Sequence, residues 1–255
     1  MFGSGSQPML FAHGFGCDQN MWRFVTQEYL DRYKVIVFDY VGCGKSDIQS
    51  YSAEKYGDLN GYAQDVLDIC NTLQLQDVIF VGHSVSCMIG LLAAIKEPQL
   101  FSELIFVGPS PCYINDSANA YIGGFERKDI EDLLDTMEKN YVGWANFLAP
   151  IVIPANEYPH LTQELTESFC SIDPFIARNF AQVTFFSDNR KDLAKLKTPV
   201  LIIQCSDDLI APIEVGNYIH QHLTKSTIKI LKTIGHCPHM SAPHETIQII
   251  NEYLN

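Results

Sequence analysis

Apolar runs of five to seven residues recur along the 255-residue chain. MLFAHGF (9–15), VIVFDY (35–40), VIFVGHS (78–84), LIFVGPS (104–110), PVLIIQC (199–205) and TIKIL (227–231) read as strands. The runs are continuous rather than alternating, the pattern of strands buried on both faces of a parallel sheet. Helical spacing fills the gaps. One stretch covers Trp22–Leu30. Another runs from Tyr62 to Leu73, with Ala63, Val66, Leu67, Cys70 and Leu73 on one face. A third follows Gly82 through Met88, Leu91, Leu92, Ala93 and Ile95, and a last one runs from His244 to Tyr253. Strands alternating with helices predict the α/β class, with a mostly parallel sheet flanked by helices.

The rhythm lapses between about Pro111 and Thr198. RKDIEDLLDTMEKNY (127–141) is an amphipathic helix with charges of both signs. WANFLAPIVI follows, then helical patterns over Leu161–Cys170 and Pro174–Ser187. A structureless loop of this length does not fit a compact domain. The division expected is a core of residues 1–111 and 198–255, with an all-helical cap at 112–197. Tyr121, Phe125, Tyr141, Trp144, Phe147, Phe169, Phe175, Phe180, Phe185 and Phe186 fall in the cap. Most form its own core, and some line its underside, as a small-ligand pocket requires. Sheets of this type open with an antiparallel hairpin, but only FGSGSQP precedes the first strand. The hairpin is expected to be short or absent and that sheet edge less protected.

The chemistry is concentrated in VIFVGHSVSCMIG. A buried strand stops at Gly82, Ser84 stands at the tip of a sharp turn, and a helix resumes: the setting of a nucleophile elbow. The serine hydroxyl then lies at the positive end of a helix, where developing negative charge is favoured. The second small position of the G-x-S-x-G pattern is Ser86 instead of glycine, and serine is still small enough for the close strand–helix approach. A serine nucleophile needs a base, and an acid to orient it. IIQCSDDLIAP offers Asp207 and Asp208. Asp208 is assigned because in folds of this type the acid is typically followed four residues later by a proline that starts the next helix, and Pro212 meets that pattern for Asp208 and not for Asp207. TIGHCPHMSAPH offers His236, His239 and His244. His236, first after the last strand, is assigned as base with His239 as the alternative, while His244 opens a helix at the surface. His236, Cys237 and His239 could also ligate a metal, but no distant Cys/His pair completes the set, and no metal or cofactor is expected. His13 and His83 read as hydrogen-bonded framing residues, and His220 and His222 as solvated. Two backbone amides must hold the oxyanion. Val85, following the nucleophile, supplies one, and Phe15 in the HGFG loop the other.

Charge and cysteine usage narrow the setting. The net charge of −13 argues against nucleic acid and anionic membranes as partners. No apolar run reaches spanning length, and MFGSGSQPMLFAHGFG lacks the regions of a signal peptide, so a cytoplasmic protein is expected. Eight cysteines without a C-x-x-C pair read as reduced, buried small hydrophobes.

With these residues placed, the sequence resembles the α/β-hydrolases, and within them the RsbQ-type bacterial stress regulators and the related plant strigolactone and karrikin receptors. The shared stretches are HGFGCDQ (13–19), FDYVGCGKSD (38–47), GYAQDVLDIC (61–70), FVGHSV (80–85), VGPSPCYIND (107–116), GGFE (123–126), MEKNYVGWA (137–145), FFSD (185–188) and GHCPHMSAP (235–243). The GHSVS wording itself is similar to the receptor branch. The resemblance implies an α/β-hydrolase fold with a V-shaped four-helix cap over a small hydrophobic pocket. It implies the triad Ser84, Asp208, His236 and the oxyanion donors Phe15 and Val85. It also implies Phe125, Trp144, Phe169 and Phe185 as pocket lining. It further implies slow hydrolysis of a small hydrophobic ester or lactone-like ligand, coupled to a PAS-domain serine phosphatase that activates a stress sigma factor. An ordinary metabolic esterase or lactonase without an obligate partner uses the same residues. A protein that only binds is disfavoured because no triad member is missing, and an aspartate-nucleophile enzyme because the elbow carries Ser84.

Overall fold

A computed structural model describes residues 1–255. Six strands, β1 (Pro8–Ala12), β2 (Lys34–Val37), β3 (Val78–His83), β4 (Phe101–Val107), β5 (Val200–Asp207) and β6 (Ser226–Ile234), form one sheet in the order β2-β1-β3-β4-β5-β6. Every neighbouring pair is parallel. β1 and β3 are buried at every position, so apolar residues alternate toward both faces and both must be covered. Helix α2 (Leu59–Thr72) packs on α3 (Val85–Lys96), and α1 (Arg23–Thr26) packs on α10 (Pro243–Leu254).

Two expectations are corrected. The stretch Trp22–Leu30 is not one helix but α1 between two short 3-10 turns, Gln19–Trp22 and Gln27–Tyr29. β6 is not a continuously buried strand. It is the edge strand, only Leu231 on it is buried, and Lys229 and Lys232 are exposed. An edge strand packs on one side only, so only one residue in two needs to be apolar. At the opposite edge no hairpin is present. The outer side of β2 meets only an isolated antiparallel bridge, in which Phe2 and Val35 exchange amide–carbonyl bonds of 2.8 and 2.9 Å.

Between β4 and β5 the chain forms α4 (Arg127–Lys139), α5 (Tyr141–Val152), α6 (Pro159–Ser171) and α7 (Pro174–Phe185). α4 starts with a reciprocal cap between Glu126 and Asp129, and α7 starts at Asp173, whose carboxylate accepts the Phe175 and Ile176 amides. These helices lie against the carboxyl end of the sheet. Ser168 donates to the Gly16 carbonyl at 2.8 Å, and Arg23 grips Glu164 through two bonds of 2.6 and 2.7 Å. α8 (Ile213–His222) and α9 (Pro238–Ser241) complete the chain.

Candidate active site

β3 ends at His83 and α3 begins at Val85, leaving Ser84 to make the whole turn at φ 56°, ψ −122°. A positive φ is costly for a residue with a side chain and persists where the surroundings hold it. Here the Ser84 amide donates to the Val107 carbonyl at the end of β4, 2.9 Å away. The turn also needs small neighbours, since a Cβ on Gly82 would sit 2.8 Å from the Ser86 backbone.

Ser86 does more than stay small. Its hydroxyl donates to the His13 carbonyl at 2.5 Å and accepts from the Tyr40 hydroxyl at 3.0 Å, tying the elbow to the HGFG loop and to the chain after β2. His13 completes the frame. Its Nδ1–H donates to the Gly14 carbonyl at 2.9 Å and its Nε2 accepts the Tyr40 amide at 3.1 Å, so the ring is neutral and burial lowers its pKa.

The Ser84 hydroxyl donates to His236 Nε2 at 2.8 Å, and His236 Nδ1–H donates to Asp208 Oδ2 at 2.7 Å. The second Asp208 oxygen accepts the Ile210 and Ala211 amides at 2.8 and 3.1 Å, which fixes the carboxylate plane. All three residues are buried, whereas Asp207 is exposed at the end of β5. The His236 amide in turn donates to the Val152 carbonyl at 2.8 Å, so the end of α5 holds the histidine loop.

The Phe15 and Val85 amides have no acceptor in the protein. Val85 is the first residue of α3, whose opening amides have no intrahelical acceptor. The Phe15 loop passes close enough that a Cβ on Gly14 would lie 3.4 Å from Ser84 Cβ and 2.4 Å from His83 Nδ1.

Above Ser84 lies a narrow cavity, lined mainly by apolar side chains of α5, α6, α7 and the loops. Of the four aromatics expected in the lining, Phe169 and Phe185 are there. Trp144 and Phe125 are not. Trp144 packs behind, against Phe169 at 5.2 Å and Phe15 at 6.1 Å between ring centres. Phe125 meets the edge of Phe185 and lines a neighbouring groove that shares Leu148 and Ile210 with the Ser84 cavity. Both positions are buried-side aromatics in sequence, and nothing in their spacing separates a wall from the layer behind it. Tyr113, which sequence reasoning missed, brings its hydroxyl to 3.3 Å from Ser84 Oγ. It stands in the PSPCYIND run after β4, where no periodicity marks it.

His239 is not a second base. It is fully buried, both ring nitrogens lack partners, and it stacks on Trp22 with ring centres 4.4 Å apart. Burial and the neighbouring His236 push its pKa down to about 3. The cluster that could hold a metal is His83, Cys237 and His239, with ligand atoms within 4.8 Å of one another, rather than the trio containing His236. No fourth protein ligand joins it, and His83 Nε2–H already donates to the His236 carbonyl at 2.9 Å. All eight cysteines are unpaired and seven are buried. Burial raises the Cys17 and Cys237 thiols, which border the cavity, so both are held as neutral thiols.

A parallel sheet with a strained serine between strand and helix, bonded to histidine and aspartate from the loops after two later strands, defines one class of protein. The chain belongs to the α/β-hydrolase fold family, whose profile matches residues 7–175. It is 38% identical over 256 residues to karrikin insensitive 2 receptor CA of Petunia hybrida, covering 100% of this chain and 94% of that protein. It is 39% identical over 242 residues to a strigolactone esterase of Pisum sativum, covering 94% and 90% of the two. Among solved structures, a hydrolase from Oleispira antarctica is similar with a TM-score of 0.97 and 44% identity, covering 99% of this chain and 92% of the other. No helix is long and apolar enough to cross a membrane.

Proposed function

We propose that this α/β-hydrolase cleaves a small hydrophobic ester or lactone-like ligand by acyl transfer through Ser84. The observation that carries the reading is the relay of 2.7 and 2.8 Å from Asp208 through His236 to Ser84, opening into an apolar cavity. Ser84 Oγ attacks the carbonyl carbon while His236 Nε2 takes its proton. Asp208 holds the imidazole in the Nδ1–H form and stabilises it as it charges. The Phe15 and Val85 amides, free of acceptors, receive the oxyanion. His236 then protonates the leaving oxygen, and water delivered through the same base releases the acyl group. Residues 112–197 act as a cap unit that shields this chemistry from water, on a core of 1–111 and 198–255.

The finer reading is a slow hydrolase that senses its ligand and regulates a stress response through a PAS-domain serine phosphatase, in the cytoplasm. Its support is the resemblance to the RsbQ type and the similarity to proteins named as receptors. Hydrolysis of short p-nitrophenyl esters by wild type and Ser84→Ala tests both levels. The expected result is a burst equal to the enzyme concentration followed by slow turnover, both lost in Ser84→Ala. A fast steady rate favours a metabolic esterase without a partner. Undiminished hydrolysis by Ser84→Ala overturns the mechanism.

A further inference from the structure

Besides Tyr113, the polar residues among those lining the Ser84 cavity are His83, Ser84, Thr184 and His236. Ser84 is bonded to both His236 and Tyr113. His83 donates to the His236 carbonyl, and its Nδ1, without a partner of its own, lies where Gly14 passes close by. Thr184 Oγ1 is enclosed and has no partner.

Helical threonines commonly return their hydroxyl to the carbonyl four residues back. Thr136, Thr162, Thr166 and Thr246 all do so here, at 2.8 to 3.0 Å. Thr184 on α7 does not use the equivalent carbonyl of Phe180. It is also the one polar residue on the buried side of α7, among Ile176, Ala177, Phe180, Ala181 and Phe185. An unpaired buried hydroxyl destabilises the fold relative to valine of the same shape, so a compensating role in the cavity is the physical account of its presence.

We propose that Thr184 is a specificity-determining residue whose hydroxyl donates to a second oxygen of the ligand, distinct from the carbonyl attacked by Ser84. The inference rests on the acyl-transfer reading of the site. The ligands selected are small, mostly apolar esters or lactones carrying an additional ether, ring or carbonyl oxygen. A purely hydrocarbon acyl group leaves the hydroxyl unpaired and is discriminated against, as sites built to hydrogen-bond a substrate reject analogues lacking the partner.

The test uses matched p-nitrophenyl esters in which one methylene is replaced by oxygen: butyrate against methoxyacetate, and valerate against 3-methoxypropionate. The ether-to-hydrocarbon ratio of kcat/KM is compared between enzymes, so intrinsic reactivity cancels. For at least one pair the ratio is expected to fall about five- to tenfold in Thr184→Val, the effect of one neutral hydrogen bond, and to survive in Thr184→Ser. The same esters are titrated into Ser84→Ala and Ser84→Ala/Thr184→Val by tryptophan fluorescence, which reads binding of intact ligand. Ratios unchanged within about twofold in Thr184→Val by both readouts overturn the inference. A binding ratio that shifts while the wild type hydrolyses nothing supports Thr184 and removes the hydrolase reading. Absence of both binding and hydrolysis overturns both.

Discussion

Replacing Ser86 with glycine restores the general elbow pattern, and a motif-based view expects it to be harmless. The structure gives the opposite expectation. Ser86 and His13 are fully buried and Tyr40 is 1% exposed. Removing the Ser86 hydroxyl strands the Tyr40 donor and the His13 carbonyl together. Each orphaned buried group costs about 1–3 kcal/mol, and glycine inside a helix adds about 0.5–1 kcal/mol. The sum is about 2.5–7 kcal/mol, which for a chain of this size lowers Tm by roughly 5–28 °C. Urea denaturation of Ser86→Gly, Ser86→Ala, Tyr40→Phe and the Ser86→Gly/Tyr40→Phe pair measures it. The alanine variant should recover only the glycine part. The double variant should lose about 1–2 kcal/mol less than the sum of the singles, because no Tyr40 hydroxyl remains to be stranded. A Ser86→Gly protein within about 0.5 kcal/mol of wild type would refute the bridging role.

Three further outcomes are expected. Asp208→Asn should cut kcat by about 10³–10⁴ by favouring the wrong imidazole tautomer, whereas Asp207→Asn should change it less than about twofold; equal losses would misassign the acid. Ser84→Ala should leave the fold intact and reduce steady hydrolysis by about 10³ or more, checked by circular dichroism alongside the ester assay. Stability should fall as pH drops below about 6.5, where unfolded histidines gain protons. Burial lowers the pKa of His13, His83 and His239, the last to about 3. Below 6.5 the unfolded chain therefore binds more protons than the folded one, at up to about 1.4 kcal/mol per pH unit for each histidine, and above pH 7 the contribution is complete. Equal urea midpoints at pH 7.5 and 5 would contradict this.

The apolar runs, the Ser84 turn and the order serine, aspartate, histidine were readable from the chain alone. Local patterns encode them: a strand buried on both faces must be continuously apolar, and a strand-to-helix reversal needs small residues. Asp208 was separated from Asp207 by a pattern typical of this fold type, a proline four residues after the acid, which Pro212 meets. The relay distances, by contrast, join residues 28 and 152 positions apart, and only the folded sheet brings those loops together. The same holds for the lining. Phe169 and Phe185 face the cavity while Trp144 and Phe125 stand behind or beside it, because rotation and tilt of packed helices decide which aromatic is outermost.

The sequence by itself therefore determined the class of fold and the order of its elements, written in short-range periodicity, and it nominated the candidate reacting groups through motif spacing and resemblance. Tertiary structure alone decided that β6 is a one-sided edge, that Ser86 bridges Tyr40 to His13, and that His239 is walled in beside Trp22. It also decided that Tyr113 and Thr184 share the cavity with Ser84. These are contacts between segments distant in the chain, and side-chain packing selects them from many arrangements that the same local pattern allows.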